Sequence, residues 1–172
     1  MTHSICVLGG TGFVGTEIVE RLAAEQHRVL VPTRNVENGR HLKVLPTVTV
    51  VAADIHDPAA LERLLRGQDA VINLVGILNE SGHSGRGFDQ AHRELTRKVV
   101  AACRSSGVGR LLQMSALKAS PEGPSHYLRT KGEAEQIIER DSGDDLAWTI
   151  FQPSVIFGPD VGFVKTFVGV LK

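Results

Sequence analysis

A three-layer α/β/α sandwich around a doubly wound parallel sheet is the fold this sequence predicts, and three observations carry the prediction. Six short apolar runs alternate with stretches of helical periodicity, the pattern of βα units that feed a parallel sheet. The first run, Ile5-Cys6-Val7-Leu8, turns directly through the glycines of Gly9-Gly10-Thr11-Gly12-Phe13-Val14-Gly15 into the first helical stretch. The composition, 172 residues at 42% hydrophobic and 22% charged, suffices for one domain with a buried core.

Taken in order, strands are expected at 4–8, 28–31, 48–52, 70–75, 110–114 and 147–152. They are nearly continuous apolar runs, as strands covered on both faces should be. Val14, Ile18 and Leu22 repeat at helical spacing in the first helix, and Phe88, Ala91, Leu95, Val99 and Ala102 do so in a longer, later one. Between these, Asp57-Pro58 supplies an N-cap and a proline at the first helical position, and Arg66-Gly67 closes that helix. Pro121-Glu122-Gly123-Pro124 reads as a rigid turn that sets the entry of the helix bearing Tyr127. Residues 1–160 are expected to form the domain and 161–172 to begin a C-terminal region for substrate or partner, most of which this chain lacks. Phe163, Val164, Phe167, Val168 and Leu171 then form an exposed apolar patch.

Charge and cysteine usage narrow the function. Lys plus Arg and Asp plus Glu both count 19, so no overall field draws the chain to nucleic acid or an anionic membrane. Cys6 and Cys103 have neither metal nor redox spacing and read as small buried hydrophobes in a reducing cytoplasm. Neither a signal peptide nor an apolar stretch of membrane-spanning length is found, so the expected location is cytoplasmic, with any membrane association peripheral. His83, in the polar glycine-rich loop 79–87, reads as a mobile surface histidine. His92 and His126 have no carboxylate or cysteine at ligand spacing, so no metal site is assigned.

The glycine turn is built for phosphate. Glycines at this spacing let the chain reverse sharply, let a pyrophosphate approach the backbone and let the helix pack close to the sheet. The first free N–H groups of the helix then face the phosphates, here at Thr11, Gly12, Phe13, Val14 and Gly15, with Gly9 making the turn. The bland alternative is an ordinary tight βα turn. At the end of the second strand, Arg34 stands where an acidic residue would bind the ribose 2′-OH of NAD, and an arginine there pairs with the 2′-phosphate of NADP. NADP(H) is therefore the preferred cofactor and NAD(H) the alternative; the competing reading of Arg34 is a solvated surface residue. After the third strand, Asp54 is suited to accept from the adenine amine and Ile55 to pack on the ring. Asn73, followed by Leu74-Val75-Gly76, is suited to lie along the ribose. For Asp54 and Asn73 the alternative is turn formation.

Chemistry, where present, falls to Ser115, Tyr127 and Lys131. The tyrosine and lysine are four residues apart, on one helix face, where the ammonium lowers the phenol's pKa and binds the nicotinamide ribose while the tyrosine exchanges a proton with a carbonyl or alcohol.

Together the glycine turn, Asp54-Ile55, Asn73, Ser115 and the Tyr127/Lys131 pair resemble the short-chain dehydrogenase/reductase superfamily in its extended or atypical, NAD-dependent epimerase/dehydratase-like branch. Within it, Asn73-Leu74-Val75-Gly76-Ile77-Leu78, Gln113-Met114-Ser115-Ala116-Leu117 and Tyr127-Leu128-Arg129-Thr130-Lys131 are similar to the group containing the NADPH-binding accessory subunit of respiratory complex I and its bacterial relatives. The resemblance implies a Rossmann-type sheet and a smaller C-terminal substrate domain, largely missing here. It also implies a catalytic serine at the end of the fifth strand, and Ala116 rather than Ser115 stands nearest that place. Adjacent side chains at a strand end point to opposite sides, so Ser115 faces away from a substrate carbonyl unless the loop rotates it inward. Two classes follow from the resemblance: a nucleotide-holding accessory or assembly protein, peripherally associated with a membrane respiratory complex, and an active NADP(H)-dependent oxidoreductase, epimerase or dehydratase acting on a small carbonyl or quinone.

Overall fold

The computed structural model describes residues 1–80, 82 and 84–158. Thus His83 and the apolar segment 163–171 lie outside the described residues. Six parallel strands form one sheet in the order β3-β2-β1-β4-β5-β6: β1 (Ser4–Leu8), β2 (Arg28–Thr33), β3 (Val48–Ala52), β4 (Ala70–Asn73), β5 (Arg110–Met114) and β6 (Ala147–Phe151). This is the Rossmann-type, doubly wound arrangement. The chain winds outward one way from β1 through β2 to β3, then returns to β4 on the other side of β1 and continues to β6. The two halves part between β1 and β4, and the crevice beyond their carboxyl ends is the place where such a sheet binds ligands.

The strands match the sequence expectation closely, with two informative differences. β2 runs two residues further than expected, to Thr33, pairing Pro32 and Thr33 with Val51 and Ala52. β4 ends at Asn73, where the expected strand continued to residue 75. There the Asn73 side chain accepts a hydrogen bond from Val75 N at 3.2 Å and bends the chain out of the sheet.

Among the described residues five α-helices cover the two faces: α1 (Phe13–Ala24), α2 (Pro58–Leu65), the single turn α3 (Arg86–Phe88), α4 (Leu95–Ser106) and α5 (His126–Asp141). As expected, Asp57 caps α2 by accepting from Ala59 N, and Pro58 opens it. α5 is capped by Ser125, whose hydroxyl accepts from Leu128 N at 3.2 Å. Two further segments depart from the expected elements: the first had no periodic signal, and the second interrupts the long helix expected through Phe88 and Ala91. A 3-10 segment, Val36–Val44, is started by the Asn35 side chain accepting from Glu37 N. A π-helical turn, Asp89–Glu94, joins α3 to α4.

Burial corrects the expected helix stripes. In α1 the fully buried positions are Gly15, Val19 and Ala23, one residue on from Val14, Ile18 and Leu22. The cause is the glycine turn: α1 must present Gly15 to it, and this fixes the rotation of the whole helix. In the later helix Leu95, Val99 and Ala102 are buried as expected, whereas His92 takes the inner place and Phe88 and Ala91 are half-buried.

Alternate residues of β1 feed two cores, one on each face of the sheet. Cys6 and Leu8 join Leu61, Leu65, Val99 and Leu111, while Ile5 and Val7 join Val19, Val31 and Leu42. Both cysteines are free and buried in the first cluster. Burial pushes the Cys103 thiol up to about 12, and it raises Cys6 further, helped by the nearby Cys103. Leu111, fully buried in β5, tests this core. Leu111→Ala is expected to cost about 2–5 kcal/mol through the cavity it leaves. Asp57→Ala removes one cap and should cost only about 1 kcal/mol; urea unfolding of both variants measures the contrast.

Candidate functional site

Each glycine of the turn at the end of β1 has a different task. Gly9 has a φ of +80°, a left-handed conformation that side chains rarely adopt, and its carbonyl accepts from Gly12 N at 3.0 Å. At Gly15 a Cβ would overlap the Gly9 carbonyl oxygen and the Gly10 backbone, so only glycine lets α1 approach so closely. Gly12 differs, since a Cβ there would meet one atom, the Gly9 oxygen at 3.2 Å, and is otherwise free of protein contact. The fold therefore demands less of Gly12 than of Gly15, where a Cβ would overlap the same carbonyl. Gly12 also stands at the start of α1 with no side chain capping the helix and no acidic residue in its first turn. The first N–H groups of a helix have no intrahelical partner, so the α1 terminus offers donors and a positive dipole end without a competing carboxylate in that turn. This cradle fits a pyrophosphate. Thr11 and Phe13 border a cleft of ≈ 550 Å³ beside the turn, and Val14 is half-buried in the first turn of α1.

Further along the carboxyl edge, Arg34 follows β2 and is exposed, with no hydrogen bond or ion pair among the described residues. Asp54 follows β3; its Oδ1 accepts from His56 N at 2.9 Å, an Asx turn that leaves the other carboxylate oxygen uncommitted among the described residues. Ile55 is half-buried against the first core cluster. Asn73 is almost fully buried and wholly engaged: its amide donates to Gln113 Oε1 at 2.9 Å while its carbonyl holds Val75 N. Its visible task is to fix the turn through Leu74, Val75 and Gly76.

That turn meets α5. A Cβ on Gly76 would lie 3.3 Å from Lys131 Nζ and 3.5 Å from His92 Nε2, so the backbone, the ammonium and the imidazole converge there. Lys131 is buried, and its Nζ donates to the Met114 carbonyl at 2.9 Å. Burial lowers its pKa to about 8, against the opposing pull of Glu135. One turn earlier, half-buried Tyr127 stands edge-on to His92, with ring centroids 5.4 Å apart, and to Phe88 at 6.1 Å. Burial raises the phenol's pKa. Desolvation outweighs the lowering expected from Lys131, whose ammonium donates to the Met114 carbonyl.

Ser115 is brought to a different neighbour. It is buried at the end of β5, and its hydroxyl donates to Glu135, one turn beyond Lys131 on α5. Gln152 donates to both oxygens of that same carboxylate, at 2.9 and 2.8 Å. Ala116 is buried beside it.

His92 is the residue that sequence reasoning missed, having weighed it only as a metal ligand. Its position four residues after Phe88 and three before Leu95 puts it on the inward stripe, and that was the signal available. Burial and the Lys131 ammonium lower its pKa to about 3, so the ring is neutral.

Among the described residues, no helix is long and apolar enough to cross a membrane. Comparison with known proteins agrees with the fold. A family model described as NAD(P)H-binding matches residues 9–163. The mitochondrial NADH-ubiquinone oxidoreductase 40 kDa subunit of Neurospora crassa is 30% identical over 159 residues, 91% of this chain and 41% of that protein. The NADH dehydrogenase [ubiquinone] 1 alpha subcomplex subunit 9 of Dictyostelium discoideum is 32% identical over 92% of this chain and 44% of its own length. A ceramide reductase of Caulobacter vibrioides is 28% identical, covering 90% and 47%. The chain thus spans less than half the length of these relatives. Among solved structures, the Bordetella bronchiseptica enzyme WbmH in complex with NAD+ superposes with a TM-score of 0.81 at 22% identity, over 99% of this chain and 63% of that one. A parallel sheet that parts beside a glycine cradle, matched along most of its length by that family model, makes this chain a member of the NAD(P)H-binding family, an atypical short-chain dehydrogenase/reductase that resembles the complex I subunit.

Proposed function

We propose that this chain holds NADP(H) as the nucleotide domain of an accessory or assembly protein of respiratory NADH:quinone oxidoreductase, peripheral to the membrane on the cytoplasmic side. The observation that carries the reading is the Ser115 hydroxyl, which donates to Glu135. A side chain needed to orient a substrate oxygen is thereby engaged within the protein, and Ala116 supplies no replacement. Arg34, one oxygen of Asp54 and the N–H groups that open α1 are uncommitted among the described residues, which leaves the adenine and phosphate grip unobstructed.

A bound nicotinamide dinucleotide supplies hydride-transfer chemistry; the residues of this chain supply the grip. In this reading the turn from Gly9 to Gly15 holds the pyrophosphate, Thr11, Phe13 and Val14 included. Arg34 pairs with the 2′-phosphate, Asp54 and Ile55 hold the adenine, Asn73 and the turn Leu74-Val75-Gly76 line the ribose, and Tyr127 and Lys131 contact the nicotinamide ribose. Partnership with a respiratory complex draws on the two subunit relatives named above. The second reading is a reductase of small carbonyl or quinone substrates. It is favoured by the Tyr127 phenol, which makes no hydrogen bond among the described residues, and by the reductase relative.

Cofactor choice is tested by calorimetric titration. Losing a charge-assisted contact of ~1.5–3 kcal/mol, Arg34→Ala should bind NADPH roughly ten- to a hundredfold more weakly and leave NADH nearly unchanged. Equal affinity of the unmutated protein for both nucleotides sinks the assignment of Arg34. Gly12→Val should abolish binding of both while the circular dichroism spectrum stays native, since a side chain there meets so little protein. The choice between holder and enzyme falls to the full-length protein. NADPH should raise its melting temperature, and it should co-purify with respiratory subunits without turning over carbonyl or quinone substrates. Turnover that Tyr127→Phe removes, at unchanged nucleotide affinity, reverses the conclusion in favour of the reductase.

A further inference from the structure

His92 uses both of its ring nitrogens, and its neighbours settle which one carries the proton. Ile77 N donates to Nε2 at 3.2 Å, so that nitrogen presents a lone pair. Nδ1 lies 2.9 Å from Thr130 Oγ1, whose own hydrogen is committed to the backbone oxygen of His126 at 2.8 Å. The hydroxyl therefore accepts, Nδ1 donates, and the imidazole is the neutral Nδ1–H form. The two bonds reach different elements. Ile77 belongs to the turn that leaves β4, and Thr130 sits on α5 between Tyr127 and Lys131.

The backbone is shaped to make this bridge. A π-helical turn accommodates an extra residue in the helix, an arrangement concentrated at functional sites, and here it carries His92 inward to 1% exposure. The charged group that faces the ring is Lys131 of α5, which meets it across Gly76. Tyr127, also of α5, and Phe88 pack against the ring. Arg93, the next residue along, pairs instead with Asp89, Glu94 and Glu133.

We propose that His92 is a positioning residue for the nicotinamide half of the dinucleotide, a neutral bracket that ties the Leu74–Ile77 turn to the α5 face bearing Tyr127 and Lys131. The atom that matters is the Nε2 acceptor, because among the described residues the turn has only the Ile77 N–H to hold it to the ring, whereas Thr130 is already held within α5 by its bond to the His126 carbonyl. The proposal rests on the dinucleotide reading above.

Two measurements test it. In nitrogen-15 NMR of the unmutated chain, His92 should show the Nδ1–H tautomer and stay uncharged through the range near pH ~6.5 where an ordinary histidine titrates. A charged ring there, or the Nε2–H tautomer, overturns the bracket whether or not any nucleotide binds. The second measurement compares NADPH with ADP, which lacks the nicotinamide half. His92→Phe keeps a ring but no acceptor and should weaken NADPH roughly tenfold, the worth of one hydrogen bond, while leaving ADP unchanged. His92→Gln, whose amide oxygen can accept from Ile77 N, should recover most of that loss. Equal weakening of both ligands, or a glutamine variant no better than phenylalanine, overturns the positioning role. Failure of the unmutated chain to bind either ligand sinks the dinucleotide reading itself and takes this proposal with it.

Discussion

Everything at the carboxyl edge of the sheet depends on how closely α1 approaches the end of β1. Gly15 packs onto the Gly9 carbonyl and the Gly10 backbone with no room for a methyl group. That one contact sets the rotation of α1, and so decides that Val19 and Ala23 enter the core while Ile18 stays half-buried. It also leaves the helix terminus lying open beside the crevice where β1 and β4 diverge. Packing and the proposed binding are therefore not independent, since the same glycine turn that makes a core contact on one side opens the α1 terminus on the other.

The site is asymmetric. In the proposed reading, its adenine and phosphate portion draws on groups left free by the fold: the exposed Arg34, one oxygen of Asp54 and the N–H groups that open α1. The portion proposed to face the nicotinamide is, apart from the Tyr127 phenol, made of groups already satisfied by one another. Lys131 holds the Met114 carbonyl, Asn73 holds Gln113 and the Val75 amide, Ser115 holds Glu135, and His92 holds Ile77 and Thr130. A satisfied buried network is rigid and specific, and altering one member leaves its partner unpaired in a low-dielectric setting. Such an arrangement suits gripping better than exchanging protons.

Much of this was legible in the sequence where local chemistry and the fold point the same way. Apolar runs located all six strands, from the fully covered β1 to the edge strand β6, whose described residues are partly exposed, and Asp57-Pro58 located α2 because its cap lies within two residues. The 3-10 segment 36–44 was not legible, since it is held by a single Asn35 cap and by Gly39 and Leu42 packing inward, with no repeating stripe. The early end of β4 and the inward turn of His92 were hidden for another reason. β4 ends where the Asn73 side chain turns back on Val75 N, with its amide fixed by the distant Gln113, and His92 likewise bonds Thr130, a partner outside any short window. The Ser115–Glu135 contact is of the same kind. Twenty residues separate the pair, and the direction of the hydroxyl is set by the carboxylate that α5 delivers to it.

The two core cysteines have a use that has nothing to do with nucleotides. Cys6 in β1 and Cys103 in α4 share one apolar cluster, and burial keeps both as thiols, far less reactive than thiolates. A thiol reagent reaches them only when the sheet and α4 separate. Their labelling rate is thus a built-in clock for opening of the central core, against which slower or faster opening at the site's own loops can be timed.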